Sequence, residues 1–323
     1  MEPASLTKLM TAYVVFTALR EKRISLEQTV TVSERATKAG GARMFLQPGL
    51  VVTVNDLLQG MIVQSGNDAC IALAEAVAGS EEAFVEAMNR AAKQLGMSAS
   101  RFANASGLPA PQHYSTAQDL GHLAATLIRE YPEYYRFYSQ KEFRYNNVTQ
   151  PNRNRLLWLD PNVDGVKTGH TESAGYGLIA SAKRDKRRML SVVLGASGES
   201  ARALESQKLL NHGFLAYDDI LLYEKGRPVS EIPVWKGSER RLKAGVRIDL
   251  YASVPKGMGE RLRAELVSHQ PLMAPIASGQ QVGTIRITLD GKPLAEHPAL
   301  ALESVAPAGI LGRLFDSVRL WLN

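Results

Sequence analysis

Three short motifs occur in a fixed order along this chain, and together they constrain its fold more than any other feature. They are Ser5-Leu6-Thr7-Lys8, Ser65-Gly66-Asn67 and Lys167-Thr168-Gly169. Each motif by itself arises often by chance, as the isolated match Ser253-Val254-Pro255-Lys256 illustrates. In combination they supply a hydroxyl nucleophile, a candidate base and a cationic anchor for a substrate that bears a carboxylate. The ordered set therefore predicts an active site built on a serine nucleophile.

The first motif lies at the start of a long apolar segment with helical spacing. Pro3 is typical of a first helical turn, which does not need the N–H group that proline lacks. Lys8 follows Ser5 by one helical turn, so the two side chains lie within reach of each other. A neutral lysine can accept the serine proton if burial or a second ammonium, here Lys167, lowers its pKa. The alternative interpretation is that Ser5 caps a helix and Lys8 is solvated.

The second motif reads as a short connection between two core helices, because apolar helical segments flank it on both sides. Ser65 is a candidate proton relay between Lys8, Lys167 and a leaving amine. The Asn67 amide offers both a donor and an acceptor to a peptide-like substrate. A helix cap at Ser65 or Asn67 is the alternative, and both roles can coexist.

The third motif precedes residues 174–182, a stretch that is typical of a buried strand. Lys167 to Gly169 are therefore expected on a neighbouring strand that lines a cleft. Gly169 lacks a side chain, which lets a substrate backbone approach the strand edge. An N–H group of this strand and that of Ser5 are candidates for an oxyanion hole. A turn with a solvated lysine is the alternative for such a motif in isolation.

The order and spacing of the motifs resemble those of class A β-lactamases and penicillin-binding proteins. The chain most resembles the serine D-alanyl-D-alanine carboxypeptidases, which are type-5 low-molecular-mass penicillin-binding proteins. Asn104-Ala105-Ser106-Gly107-Leu108 and Leu289-Asp290-Gly291-Lys292 extend the resemblance over nearly the whole sequence.

The resemblance implies a role for each candidate site residue. Ser5 forms the acyl-enzyme, Lys8 is the base, and Ser65 and Asn67 complete the proton network. The substrate side is lined by Lys167, Thr168, Gly169, His170 and Arg202, of which Arg202 binds the terminal carboxylate. A guanidinium suits that task because its rigid fork pairs with both carboxylate oxygens.

The function implied is removal of the terminal D-alanine from peptidoglycan stem peptides, with β-lactams as covalent inhibitors and with no metal or cofactor. A β-lactamase is one alternative, but no Glu-x-x-x-Asn element suited to deacylation stands between Ser65 and Lys167. A wall-binding scaffold without turnover is the other alternative. The net charge of +6 is small, and the two local basic clusters, residues 183–188 and 239–241, read as a hairpin turn and a solvated loop, so the charge does not favour nucleic acid as a partner.

The predicted fold class is α+β, with helices on an antiparallel sheet in a penicillin-binding/β-lactamase-like catalytic domain, residues 1–221. Within it, residues 80–95, 116–131 and 205–215 predict helices, and the apolar stretches 174–182 and 189–195, joined by a basic turn, predict an antiparallel strand pair. Residues 222–306 contain stretches in which apolar and polar residues alternate with period two, and these predict a small β-sandwich. Family members carry an N-terminal strand hairpin ahead of the first motif. Because Ser5 stands so near the start of the printed sequence, we expect the catalytic sheet to lack those strands, and no signal peptide is evident.

Residues 307–323 predict an amphipathic helix that follows the β-rich region. Its apolar residues, with Leu320 as the exception, share one arc of a helical wheel: Ile310, Leu311, Leu314, Phe315, Val318, Trp321 and Leu322. A helix over 310–323 is about 21 Å long, too short to cross a bilayer. It either docks on a core or lies in a membrane interface. The family resemblance favours the interface, and thus a peripheral enzyme on the periplasmic face of the bacterial cytoplasmic membrane.

Overall fold

A computed structural model describes residues 1–322, which form two compact units, Met1–Gly213 and the residues from Phe214 onwards. The helices that begin in the first unit are α1 (Lys8–Arg20), α2 (Glu34–Thr37), α3 (Val54–Gln59), α4 (Asn67–Ala78), α5 (Glu81–Gln94), α6 (Ala117–Glu130), α7 (Pro132–Tyr135), α8 (Leu156–Leu159) and α9 (Glu199–Ala216). Its strands are β1 (Thr29–Thr31), β2 (Val51–Thr53), β3 (Glu142–Tyr145), β4 (Val148–Pro151), β5 (Val163–Thr171), β6 (Gly175–Arg184) and β7 (Arg187–Ala196).

The helices predicted over residues 80–95 and 116–131 are confirmed as α5 and α6. Each begins at a hydroxyl cap: Ser80 accepts a hydrogen bond from the Ala83 N–H, and Thr116 accepts one from the Asp119 N–H. The helix predicted over residues 205–215 begins earlier, at Glu199. An acidic residue in the first turn favours that start, because the amino end of a helix carries partial positive charge. The earlier start places Arg202 on α9.

Helix α1 is the centre of the first unit and is buried on nearly all sides. Leu9, Met10, Val15 and Phe16 have no exposed surface. The helix contacts α4, α5 and α6. Because the apolar surface of α1 is removed from water all around, this helix holds the adjoining Ser5 turn in a fixed position.

A three-stranded antiparallel sheet, in the order β5-β6-β7, carries the third motif within the described residues. The hairpin predicted from residues 174–182 and 189–195 is confirmed as β6 and β7. Lys167 lies on β5 opposite Ile179 of β6. The short helical turn Ala4–Thr7, which carries Ser5, contacts both β5 and β6. The sheet thus brings the first and third motifs together.

The second unit contains β8 (Tyr217–Tyr223), β9 (Pro228–Pro233), β10 (Arg241–Gly245), β11 (Leu250–Pro255), β12 (Leu262–Ser268), β13 (Gln281–Leu289), β14 (Lys292–Ala301) and α10 (Ile310–Leu322). A five-stranded sheet has the order β12-β13-β14-β10-β9, and β11 pairs with β8. Val254 of β11 shares a hydrophobic cluster with Ile285 and Ile287 of β13. Two sheets that share a core form the β-rich domain expected from the alternating pattern.

The domain boundaries at 221/222 and 306/307 stay predictions, and the first of them falls inside β8. No helix within residues 1–322 is long and apolar enough to cross a membrane.

Candidate active site

The structure places most of the predicted site residues around one cleft of about 280 Å³. They are Ser5, Ser65, Asn67, Thr168, Gly169, His170 and Arg202. The other two, Lys8 and Lys167, are only 1% and 3% exposed. Lys8 is joined to the cleft by hydrogen bonds to Ser5 and Asn67. Segments that are far apart in the sequence therefore contribute to a single site.

The Lys8 ammonium contacts three oxygen atoms. Its Nζ lies 3.0 Å from Ser5 Oγ, 2.7 Å from Asn67 Oδ1 and 2.6 Å from the Ser106 carbonyl oxygen. A neutral amine has two N–H donors and one lone pair. When Lys8 is neutral, Asn67 and Ser106 can accept both N–H bonds, and the lone pair then faces Ser5 Oγ. The same 3.0 Å contact becomes a bond in which the serine hydroxyl donates, which is the geometry of a general base.

Burial favours this neutral state of Lys8. Loss of water around the ammonium is the main reason that the pKa of Lys8 lies below its ordinary value, and the positive charge of Arg153 lowers it further. The negative charges of Cys70, when ionised, and of Asp68 act in the opposite direction. The Cys70 thiol is itself buried, which raises its pKa to about 11, so it remains neutral and does not offset this effect.

Lys167 lies in a similar environment on β5. Burial and then the neighbouring charge of Lys8 hold the pKa of Lys167 well below its ordinary value. Its Nζ donates one long hydrogen bond, 3.4 Å, to the Thr168 carbonyl. Two buried amines next to each other cannot both be charged without a large cost in free energy. A charge on Lys8 therefore disfavours a charge on Lys167, in addition to the effect of burial.

Ser65 precedes α4 in a left-handed backbone conformation, with φ 68°. Its Oγ is buried and has no hydrogen-bond partner among the described residues. A buried hydroxyl without a partner is costly, and a catalytic role is one of the reasons for which such a group is retained. No bond joins Ser65 Oγ to Lys8 or Lys167 in the described part of the chain, so its role as a proton relay stays a prediction.

Gly169 permits a close approach within the protein itself. A Cβ atom at this position would lie 3.0 Å from the Pro3 carbonyl oxygen and 3.2 Å from the Leu6 backbone nitrogen. A side chain here would push β5 away from the turn that carries Ser5. The structure thus gives a packing reason for glycine in addition to the substrate approach that we predicted from the sequence.

His170 and Arg202 share an aromatic neighbour, Tyr176. The rings of His170 and Tyr176 are stacked with centroids 3.8 Å apart, and the Arg202 guanidinium lies 5.5 Å from the centre of the Tyr176 ring. Arg202 also donates hydrogen bonds to the Gly169 carbonyl at 3.3 Å and to Glu199 at 3.4 Å. These contacts hold a buried guanidinium in the lining of the cleft.

Sequence reasoning missed Arg153, which lines the cleft and is exposed. Its positive charge lowers the pKa of Lys8, Lys167 and Arg202. Nothing in the local sequence distinguishes Arg153 from the surface arginines. The cleft therefore contains more cationic groups than we predicted, which suits an anionic substrate group.

The Ser106 carbonyl, which accepts a hydrogen bond from Lys8, is a second site group that sequence reasoning missed. The segment that contains it, residues 104–108, was used only as part of the family resemblance. The Asn104 side chain accepts hydrogen bonds from the N–H groups of Ser106 and Gly107 and donates one to the Leu108 carbonyl. Gly107 has φ +88°, and a Cβ there would lie 1.8 Å from the Ala4 carbonyl oxygen. A glycine is required for this segment to bring its carbonyl to Lys8.

Comparisons with known proteins give a consistent result. Residues 1–198 match the model of the D-alanyl-D-alanine carboxypeptidase family, and residues 217–307 match that of the penicillin-binding protein 5 C-terminal domain. The chain is 43% identical to D-alanyl-D-alanine carboxypeptidase DacC of Escherichia coli, over 98% of this chain and 82% of that protein.

Among solved structures, penicillin-binding protein 5 from Haemophilus influenzae is 41% identical and superposes with a TM-score of 0.83, over 95% of this chain and 91% of that one. The ampicillin-bound form of penicillin-binding protein D2 from Listeria monocytogenes is 33% identical with a TM-score of 0.61. That match covers 66% of this chain and 87% of the Listeria chain.

Proposed function

This chain belongs to the D-alanyl-D-alanine carboxypeptidase family, and from that premise we propose that it removes the terminal D-alanine of peptidoglycan stem peptides with Ser5 as nucleophile. It is a serine-type carboxypeptidase that binds β-lactams. The observation that carries the residue assignment is the contact of the buried Lys8 with Ser5 Oγ, in a cleft that Arg153 and Arg202 also line.

The reaction has two chemical steps. In the first, Ser5 Oγ attacks the carbonyl carbon of the D-Ala–D-Ala bond while Lys8 Nζ takes the hydroxyl proton. The C–N bond then breaks, the proton passes to the departing amine, and D-alanine leaves. In the second step a water molecule gives a proton to Lys8 and attacks the Ser5 ester. The shortened peptide is released and the proton returns to Ser5.

The direct test is the mass of the intact protein after exposure to penicillin. A carboxypeptidase of this class acquires the mass of one penicillin at Ser5 and keeps it long enough to be measured. An adduct that disappears within the mixing time would instead indicate a β-lactamase. Absence of any adduct, together with absence of D-alanine release, would indicate a wall-binding scaffold.

Arg202→Ala is expected to have different effects on two forms of one peptide substrate, one with a free C-terminal carboxylate and one in which that carboxylate is amidated. We propose that Arg202 pairs with the terminal carboxylate, so its loss lowers kcat/KM for a free-acid peptide by about tenfold to a hundredfold. The amidated peptide has no carboxylate, and its already low kcat/KM stays nearly the same. Arg155→Ala, a nearby exposed arginine, serves as control. Equal losses on the two peptides would remove Arg202 from carboxylate binding.

The rate of acylation by penicillin is expected to rise with pH, because Lys8 must lose its proton before it accepts that of Ser5. Arg153→Gln removes a positive charge that disfavours the Lys8 ammonium. The pKa of Lys8 then rises, and the acid limb of the pH–rate profile for acylation moves to higher pH. The profile is measured by stopped flow, as the acylation rate constant at saturating penicillin over a range of pH, with Arg155→Gln as control. A limb that stays in place or moves to lower pH would contradict this assignment.

We also propose that α10 holds the protein on the periplasmic face of the cytoplasmic membrane. Its apolar residues Ile310, Leu314 and Phe315 are 78%, 67% and 64% exposed. The other side chains of the predicted apolar arc lie outside the described part of the chain. The Asp316 carboxylate accepts a hydrogen bond of 2.6 Å from the Lys236 N–H. That bond ties α10 to its own unit, while the three apolar side chains keep the exposed fractions given above.

Leu314→Glu is expected to release the protein from vesicles of anionic lipid, because it places a charge on the apolar face of α10. Turnover of a soluble peptide stays unchanged. Leu159→Glu, at a residue of similar exposure in the first unit, leaves vesicle binding intact. If deletion of residues 310–323 unfolds the second unit, or if Leu314→Glu still sediments with vesicles, the helix is a docked element and not an anchor.

A further inference from the structure

His113 is a buried titratable group that the mechanism described above does not use. The ring is 3% exposed and lies edge-on to Phe102, with centroids 5.9 Å apart. It stands near the end of the segment that presents Ser106 to Lys8. Arg101 and Tyr114 close this segment into a loop with two backbone hydrogen bonds, of 2.9 and 3.0 Å.

The hydrogen-bond partners of His113 assign its tautomer. The Ala103 N–H points at Nδ1 from 3.4 Å, so Nδ1 is the acceptor. Nε2 then carries the hydrogen and donates to Thr7 Oγ1 at 2.8 Å. Burial lowers the pKa of His113 to about 4, which keeps the ring neutral at ordinary pH. His113 is thus a fixed donor directed at Thr7.

Thr7 lies between Ser5 and Lys8 in the turn that carries both. It is completely buried. The loop that contains His113 also contains Ser106, whose carbonyl oxygen accepts a hydrogen bond of 2.6 Å from Lys8 Nζ. Thr11 Oγ1, one helical turn further on, donates to the Ala105 carbonyl at 2.6 Å. Of these three bonds, the His113–Thr7 bond is the one made to Ala4–Thr7, the short helical turn that carries Ser5.

We propose that His113 is a positioning residue of the acylation step, which holds the Ser5–Lys8 turn against the Ser106 carbonyl so that the Lys8 lone pair faces Ser5 Oγ. The inference rests on the proposed role of Ser5 and Lys8. Without the bond, the turn and the loop keep their packing but lose the constraint on their separation. A displacement of the base by a fraction of an ångström slows proton transfer and leaves ligand binding in the cleft unchanged.

The test uses the full-length chain and separates binding from chemistry. Penicillin acylation is followed by stopped flow over a range of concentrations, which gives a first-order rate constant and a half-saturating concentration. His113→Phe keeps the packing on Phe102 and removes the donor. Thr7→Val removes the acceptor at nearly constant volume. His113→Gln retains an N–H donor, and His122→Phe, at an exposed histidine of α6, is the matched control.

We expect His113→Phe and Thr7→Val each to lower the first-order constant by about tenfold to a hundredfold, with the half-saturating concentration unchanged. The double variant should lose no more than the larger single loss, because both changes break one bond. His113→Gln should recover part of the rate, and His122→Phe should equal the unmodified protein.

Several results would overturn the proposal. One is a folded Thr7→Val protein whose first-order rate constant equals that of the unmodified protein. Another is a double variant in which the two single losses of rate multiply. A third is a change in the half-saturating concentration without a change in the rate constant. If His113→Phe does not fold, as measured by thermal unfolding, Thr7→Val alone decides. Failure of the proposed function is distinct, because the unmodified protein would then form no adduct at Ser5.

Discussion

Replacement of Ser5 by alanine is expected to abolish both the release of D-alanine and covalent labelling by penicillin. Ser5 Oγ is the hydroxyl that Lys8 contacts in the cleft, at 3.0 Å. Loss of a catalytic nucleophile typically lowers turnover by about 10⁴-fold or more. The measurements are D-alanine release from a stem-peptide analogue and intact mass after exposure to penicillin. The fold should be unchanged, because the side chain is small and partly exposed.

The chain contains its own control for this experiment. Ser253 and Lys256 form a second Ser-x-x-Lys sequence on and just after β11, where both are exposed. Ser253→Ala should leave turnover and labelling intact, because neither residue is desolvated and Ser253 instead donates to Asp219. A penicillin adduct on any residue of the Ser5→Ala protein would contradict the assignment of the nucleophile.

Lys8→Met is expected to have the second largest effect. Methionine approximates the shape of the lysine side chain and removes the base, and a general base contributes about 10²-fold to 10⁴-fold to a rate. Acylation by penicillin should slow by such a factor and lose its dependence on the pKa of Lys8. Lys256→Met is the matched control in the exposed motif and should have no effect.

The stability of the Lys8→Met protein must be measured along with its activity. The change removes the cost of burying the polar Lys8 amine, but it leaves the Asn67 Oδ1 and Ser106 carbonyl acceptors without the donor that Lys8 supplies, at about 1 to 3 kcal/mol each. These effects oppose each other, so the protein should remain folded at assay temperature. A folded Lys8→Met protein that acylates at the original rate would show that another group, with Lys167 as the first candidate, is the base.

The elements that were predicted well are those whose signals are local. The hydroxyl caps at Ser80 and Thr116 and the apolar spacing that follows them determine where α5 and α6 begin. The β6–β7 hairpin follows from two apolar runs on either side of a polar turn. The start of α9 was predicted too late, because its first turn is polar and the sequence offers no apolar periodicity there.

The residues that sequence reasoning missed have in common that their role depends on distant neighbours. Arg153 matters because its charge lies near Lys8 and Lys167. The Ser106 carbonyl matters because Asn104 turns it toward Lys8. A backbone carbonyl carries no identity in a sequence, and an arginine carries no indication of the cleft that it faces.

The sequence alone determined the chemical groups of this site: a hydroxyl and an amine one helical turn apart, an amide, a second amine and a guanidinium. These follow from residue identity and from the spacing of residues within single elements. Only the tertiary structure decided the state of those groups. We propose Lys8 as the base because burial removes water from its amine, and the Ser106 carbonyl accepts a hydrogen bond from it. Desolvation and lone-pair direction depend on segments far away in the chain, so no local pattern encodes them.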